Sequence, residues 1–131
     1  MIGLDTNILV RLIVGDDPKQ LKSALSLITK TERSKEKMFI NHVVLAEFAW
    51  VLSRTFKYPR EEIIDTLESL MSNESVTFQD RSLVRLALRS FRSSSADFSD
   101  CLLNTINGSQ GCETTYTFDK QAAKLPGMKL A

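Results

Sequence analysis

Cysteine and histidine are scarce in this sequence. It contains two cysteines, Cys101 and Cys112, outside any Cys-x-x-Cys pair, and a single histidine. Two cysteines are too few for a disulfide framework, and a structural zinc site needs a cluster of such ligands. We therefore expect no zinc centre, and two reduced cysteines that pack as small buried hydrophobic residues.

A long hydrophobic run is also missing. No apolar stretch reaches the length of about 18 residues that a membrane span requires, and the run over 8–14 is interrupted by Arg11. The N-terminus lacks the basic flank and the small-residue cleavage site of a secretory signal. We expect a cytoplasmic protein with no membrane partner.

An excess of charge of either sign is absent as well. The 17 Lys and Arg residues against 16 Asp and Glu residues give a net charge of +1. Because there is no overall basic field, any nucleic-acid partner has to be held by a local patch. The length of 131 residues fits one compact domain over 1–131.

What the sequence does contain is an alternation of short apolar runs with longer helical patterns. The strand candidates are 1–4, 38–40, 76–78, 113–118 and 128–130. Helical patterns cover 8–14, the stretch from residue 18, 43–56, the stretch from residue 59, the stretch after residue 80, and 97–107. The charged stretch 30–37 is expected to be a surface turn or a frayed helix end. This alternation predicts an α/β fold with a central parallel sheet of four to five strands, flanked by helices.

Asp5 follows the first predicted strand directly. It lies at the carboxyl end of that strand, which is where ligands bind in open α/β sheets. The alternative is that Asp5 merely caps the helix that follows, because Asp is a common N-cap residue. Position alone leaves both interpretations open.

Glu47 is the most unusual acid. Its helical neighbours at three and four residues are all apolar: Val43, Val44, Trp50 and Val51. A charged Glu in the middle of such a face is costly unless something compensates it. A buried ion pair or a narrow solvent-facing stripe would also explain Glu47, but the helix around it carries no other charge, which argues against the stripe. We therefore interpret Glu47 as a functional residue.

Three more acids follow in the second half of the chain. Asp97 and Asp100 lie three residues apart on a predicted helix, with Asn104 one turn further on. Asp97 is interpreted as the helix N-cap, whereas Asp100 lies deeper in the helix. Two like charges at this spacing repel by about 0.2–0.5 kcal/mol in an isolated helix, which a cation would relieve. Asp119 ends the strand at 113–118, where an Asp is also ordinary turn chemistry.

Asp5, Glu47, Asp100 and Asp119 are compatible with one crevice at the carboxyl edge of the predicted sheet. Carboxylates that converge without basic partners repel one another, and divalent cations are the usual remedy. Hard oxygen ligands suit Mg²⁺ or Mn²⁺. Such a site suits phosphodiester hydrolysis, because the metal activates water and neutralises charge on the phosphate.

The order of these motifs resembles the PIN domain. It comprises Asp-Thr-Asn after the first strand (Asp5 to Asn7), a lone Glu in an apolar helix, Asp-x-x-Leu from Asp100, and Thr-Phe-Asp ending at Asp119. The resemblance covers essentially the whole chain. Within the family, the chain looks most like the VapC-type toxins of toxin–antitoxin pairs.

The resemblance implies an activity and a set of partners. It implies a Mg²⁺- or Mn²⁺-dependent endoribonuclease that cleaves single-stranded RNA, forms a homodimer and is inhibited by a cognate antitoxin. It also implies that Asp5, Glu47 and Asp100 are the core metal ligands and catalytic residues, with Asp119 as a more variable fourth acid.

The resemblance implies supporting roles for three polar residues, and two further polar residues depart from the family pattern. Thr6 and Thr117 would be supporting polar groups, and Asn7 would order the loop after the first acid. Asn104 departs from the small or apolar residue usual in the family, and it would either bond a metal-bound water or line the crevice. Asp97 is an extra acid with no firm place in the catalytic set.

Basic residues and competing functions complete the picture. Arg11 and Lys120 are candidates for holding RNA phosphates, because they lie near the two strand-end acids in sequence and an acidic pocket needs a basic rim. A catalytically silent RNA-binding or scaffold module of the same fold stays open. So does a metal-dependent phosphatase, although a Glu inside a helix fits a phosphoacceptor poorly.

Overall fold

The computed structural model describes residues 1–131. Its helices are α1 (Thr6–Val14), α2 (Pro18–Arg33), α3 (His42–Arg54), α4 (Arg60–Ser72), α5 (Arg81–Arg92) and α6 (Phe98–Ser109). Its strands are β1 (Ile2–Gly3), β2 (Met38–Ile40), β3 (Val76–Phe78), β4 (Thr115–Thr117) and β5 (Met128–Leu130), and a 3₁₀ turn covers Ala122–Lys124. The chain forms two compact units, Met1–Gln79 and Asp80–Ala131.

The first unit contains a three-stranded parallel sheet and four helices. The strand order is β1-β2-β3, with Ile2 opposite Met38 and Met38 opposite Val76. The ladder continues one residue past β1, because the backbone N–H of Leu4 donates to the carbonyl of Phe39 at 3.0 Å. Since the three strands run in one direction, their carboxyl ends lie at one edge, and α1 and α3 begin there.

Helix α3 is the central helix of the first unit and packs against both α1 and α4. Its buried side carries Leu45, Phe48 and Leu52 at helical spacing. Its start is fixed by Asn41, whose side-chain oxygen accepts a hydrogen bond from the backbone N–H of Val44 at 2.8 Å. The helix is therefore anchored at the carboxyl end of β2.

The second unit consists of the α5–α6 pair and a two-stranded sheet. Helix α5 begins behind Asp80, whose carboxylate accepts a hydrogen bond from the backbone N–H of Leu83 at 3.1 Å. The rings of Phe91 and Phe98 meet edge to face at a centroid distance of 5.8 Å, joining the end of α5 to the start of α6. Strands β4 and β5 pair in parallel.

The predicted α/β class is confirmed, with five strands that all pair in parallel. They divide into sheets of three and two strands rather than forming one continuous ladder. The strand expected over 113–118 is shorter. The stretch 30–37, expected to be a surface turn or a frayed helix end, is helical as far as Arg33 and forms a turn after it. Burial explains the longer helix: Thr31 is buried and its hydroxyl donates to the carbonyl of Leu27 at 2.8 Å.

Some predicted burial is wrong. Leu25 of α2 and Leu86 of α5 lie on exposed sides of their helices, at 49% and 47% exposure. The buried faces of these helices include the small residues Ala24 and Ala87 instead. Cys112, expected to be buried, is exposed, whereas Cys101 is buried as predicted. None of the six helices combines the length and apolar character needed to cross a bilayer.

Candidate active site

Asp5 lies at the junction between β1 and α1. It is extended (φ −83°, ψ 159°) and occupies the N-cap position of α1, yet its carboxylate accepts no capping hydrogen bond. The side chain is exposed and has no ion pair either. The capping interpretation of Asp5 therefore does not hold, and the carboxylate is available at the carboxyl edge of the sheet.

Thr6, the next residue, carries a buried hydroxyl without a partner. The residue is 4% exposed, and its Oγ1 atom makes no hydrogen bond. An unsatisfied buried hydroxyl costs about 1–3 kcal/mol, so native proteins rarely keep one without a reason. A polar group that is costly for folding and adjacent to a free carboxylate is typical of a binding site.

Asn7 is exposed in the first turn of α1. It lines a cleft of about 330 Å³ between α1 and α2, together with Ile8, Arg11 and Gln20 among others. Its side chain forms no hydrogen bond, so the predicted ordering of the loop after Asp5 is not made through a bond within the protein.

Glu47 lies on an exposed face of α3, not within an apolar one. Val43 and Trp50, one turn to either side, are 75% and 50% exposed, and Glu47 itself is exposed with no hydrogen bond or ion pair. The solvent-facing stripe that the sequence argued against is therefore what the structure shows. The sequence does not show the amphipathic pattern, because α3 carries apolar residues on its exposed face as well as on the opposite face, where Phe48 and Leu52 are buried.

The start of α3 is tied to the end of β3. The backbone N–H of His42 donates to the side-chain carbonyl of Gln79 at 3.0 Å. Gln79 follows β3 just as Asp5 follows β1, and its own N–H donates to the carbonyl of Ile40 at 3.3 Å. Sequence reasoning missed Gln79, whose only signal was its position directly after a strand. This bond helps to hold the helix that carries Glu47.

Asp97 and Asp100 both lie at the start of α6 in the second unit. Asp97 occupies the N-cap position as predicted, but its side chain makes no capping hydrogen bond. Asp100 lies in the first turn, less deep in the helix than expected, and both residues are half-buried. The positive end of the helix dipole favours negative charge at this place.

Asn104 and Asn107 connect α6 to the two-stranded sheet. The side-chain amide of Asn104 donates to the carbonyl of Pro126 at 2.9 Å, just before β5. The side-chain amide of Asn107 donates to the hydroxyl of Thr115 in β4 at 3.1 Å. Asn104 thus has a structural partner of its own, which favours a positioning role over direct contact with a metal-bound water.

Asp119 organises the turn that follows β4. Its Oδ1 atom accepts hydrogen bonds from the backbone N–H groups of Gln121 and Ala122, at 2.8 and 2.9 Å. The backbone N–H of Asp119 donates to the hydroxyl of Thr117 at 3.0 Å. Turn chemistry therefore occupies one carboxylate oxygen, and the exposed side chain leaves Oδ2 for a ligand.

The two cations suggested for RNA binding differ in availability. Arg11 forms an ion pair with Asp16 at 3.1 Å and donates from Nε to the side chain of Gln20. Lys120, beside Asp119, is exposed and makes no hydrogen bond or ion pair. Of the two, only Lys120 can meet a phosphate without first giving up a partner.

The oxygen donors of each unit suit a hard divalent cation in their chemistry. Carboxylates and hydroxyls are the ligands that Mg²⁺ and Mn²⁺ prefer, and Asp5 and Glu47 are not engaged with basic residues. Neither unit by itself gathers three or more Asp, Glu, His or Cys side chains that could hold a metal ion. The set of four acidic ligands stays a prediction.

The chain is similar to known proteins over nearly its whole length. The family model described as PIN domain matches residues 2–128. A protein named VapC ribonuclease, from Aquifex aeolicus (strain VF5), is 23% identical over 122 residues, covering 93% of this chain and 90% of that protein.

Proposed function

Because this chain belongs to the PIN domain family, we propose that it is a Mg²⁺- or Mn²⁺-dependent endoribonuclease that cleaves single-stranded RNA. We propose further that it is the toxin of a toxin–antitoxin pair, which the likeness to a protein named VapC ribonuclease supports. The observation that carries the proposal is the free carboxylate of Asp5 beside the unpartnered buried hydroxyl of Thr6. The buried hydroxyl lowers stability and the carboxylate makes no bond that would raise it, so ligand binding explains both groups better than folding does.

The proposed metal ligands and catalytic residues are Asp5, Glu47, Asp100 and Asp119. A divalent cation, when bound, supplies Lewis acidity that activates water and offsets the negative charge developing on the phosphate. Asp5 and Glu47 support this role because no Lys or Arg neutralises them within the protein. Asp119 supports it through the one oxygen that the turn does not use.

The polar residues around these acids have positioning roles in the proposal. The Thr6 hydroxyl donates to a ligand held beside Asp5, and the Thr117 hydroxyl holds the backbone of Asp119. Asn104 fixes the turn before β5 through Pro126. Holding the segments that carry the ligands is the task of the outer shell of a metal site.

The proposed partners are a second copy of the chain and a cognate antitoxin. The exposed apolar pair Val43 and Trp50 on α3 supports a protein interface, because tryptophan is enriched among the residues that contribute most to binding at such interfaces. A partner seated there would cover Glu47, which lies between them on the same face.

The experiment that tests the proposed activity is cleavage of a mixed RNA pool by the purified protein. We expect cleavage with Mg²⁺ or Mn²⁺, none with EDTA, and recovery when metal is restored. A phosphomonoester such as p-nitrophenyl phosphate is the matched substrate for a phosphatase. RNA binding without cleavage in any metal would instead support the silent module, and turnover of the monoester alone would support the phosphatase.

A further inference from the structure

Helix α5 carries four arginines on one face. Arg81, Arg85, Arg89 and Arg92 follow one another at spacings of four, four and three residues, which places them in a single row along the helix. The row runs for about 17 Å, at 1.5 Å per residue. We refer to these four residues as the arginine row.

Another side of α5 is buried. Val84, Ala87, Leu88 and Phe91 are buried there, and α5 packs against α6. The arginine row flanks that side: Arg81 is half-buried, and the other three arginines are exposed. Arg85 and Arg89 are exposed and form no hydrogen bond or ion pair.

Helix stability explains only part of the row, because Arg89 and Arg92 complement the dipole in the last turn of α5. Like charges four residues apart repel, and a cation in the first turn, as at Arg81, opposes the helix dipole. The helix contains no acidic residue, and the nearby Asp80 is already used as its N-cap. The row thus gathers 4 of the 17 basic residues of a nearly neutral chain along one helix.

The position of the row agrees with the proposed chemistry. The edge-to-face contact of Phe91 with Phe98 puts the C-terminal end of α5 beside the start of α6. Asp97 and Asp100 lie at that start. A polyanion that follows the row would reach the acidic turn of α6 at its end.

We propose that the arginine row binds the phosphate backbone of single-stranded RNA and leads it to the acidic turn of α6. The occupant is a polyanion because guanidinium groups are always charged and pair well with phosphates. It is single-stranded RNA because a flexible strand follows a basic track regardless of its bases. The inference rests on the proposed function only in taking RNA as the substrate.

The test is the salt dependence of RNA binding, measured by fluorescence anisotropy with a short fluorescein-labelled oligouridylate. EDTA is present, so that no cleavage occurs. Each phosphate contact contributes a slope of about −0.7 to a plot of log affinity against log salt for single strands. Arg85→Ala/Arg89→Ala should therefore make the slope shallower by about 1.4. Oligoadenylate should show the same change, because phosphate contacts are not base-specific.

Two further variants control for folding and for net charge. Arg85→Lys/Arg89→Lys keeps both charges and should keep most of the wild-type slope. Lys19→Ala/Lys22→Ala removes the same charge from exposed positions of α2 and should leave the slope unchanged. An unchanged slope in Arg85→Ala/Arg89→Ala would overturn the inference. An equally large change of slope in Lys19→Ala/Lys22→Ala would overturn it as well.

The result stays separable from the proposed nuclease activity. With Mn²⁺ added, the Arg85→Ala/Arg89→Ala variant should raise KM far more than it lowers kcat, because the row binds RNA without touching the reacting atoms. If no variant cleaves RNA but the slopes behave as expected, the proposed function fails and the binding row stands. If cleavage proceeds with an unchanged KM and slope, the row fails and the nuclease stands.

Discussion

Asp119 accepts a hydrogen bond at Oδ1 from the backbone N–H of Ala122, at 2.9 Å, and so closes the turn after β4. The same residue is a proposed metal ligand. Its structural role and its proposed catalytic role can be separated, because an amide oxygen can replace the carboxylate in the turn but lacks its charge. This residue therefore gives the first prediction.

Asp119→Asn should keep the stability of the protein while lowering its nuclease activity. Asp119→Ala should lower the unfolding free energy by about 1 kcal/mol, the usual effect of removing a capping acceptor. It should lower nuclease activity as much as Asp119→Asn does. Urea unfolding and RNA cleavage with Mn²⁺ measure the two effects. Full activity in Asp119→Asn would show that Asp119 has only a structural role, in the turn after β4.

Thr6→Val should separate stability from activity in the opposite direction. Valine has nearly the same shape without the hydroxyl, so the substitution removes an unsatisfied buried group and should raise the unfolding free energy by about 1 kcal/mol. Cleavage should fall, because the hydroxyl is proposed to donate to a ligand. If stability drops instead, the hydroxyl has a partner within the folded protein and the site argument loses its main support.

Glu47→Gln should reduce cleavage by more than about ten-fold. Removing an outer-shell group of a metal site already costs about ten-fold in activity, and the loss of a proposed direct ligand should cost at least as much. Stability should change by less than about 0.5 kcal/mol, as is usual for an exposed position. Glu61→Gln, an equally exposed glutamate of α4, is the matched control and should keep full activity. A large loss of stability would show that Glu47 is needed for folding.

Gly127→Ala should destabilise the second unit. Gly127 has φ +90°, which strains any residue with a side chain, and the added methyl group would lie 3.4 Å from the side-chain oxygen of Asn104. We expect a loss of about 1 kcal/mol or more in urea unfolding. Asn104→Ala should also lose about 1 kcal/mol through the bond to Pro126. An additive double variant would show that the two residues do not act together.

The sequence predicts most of the fold because its strands and helices follow local patterns. Asp80 and Asn41 are strong N-cap residues, and both cap helices in the structure. The short apolar runs at 38–40 and 76–78 predict buried strands, and both are strands. The division of the strands into two sheets depends on contacts between distant segments, which periodicity does not contain.

The site was predicted less completely. Asp5 was identified by its place after a strand, but the absence of a capping bond is visible only in the structure. Glu47 was singled out for the wrong reason, since its face of α3 is exposed. The arginine row is visible in the sequence at helical spacing, but the exposure of Arg85 and Arg89 is visible only in the structure.

The most direct test of the account is RNA cleavage with Mn²⁺ by Asp5→Asn beside Asp65→Asn. Both variants replace an exposed aspartate without a hydrogen bond or ion pair, and they make the same change of charge. We predict that Asp5→Asn loses metal-dependent cleavage, whereas Asp65→Asn cleaves like the wild-type protein. Equal cleavage by the two variants would contradict it.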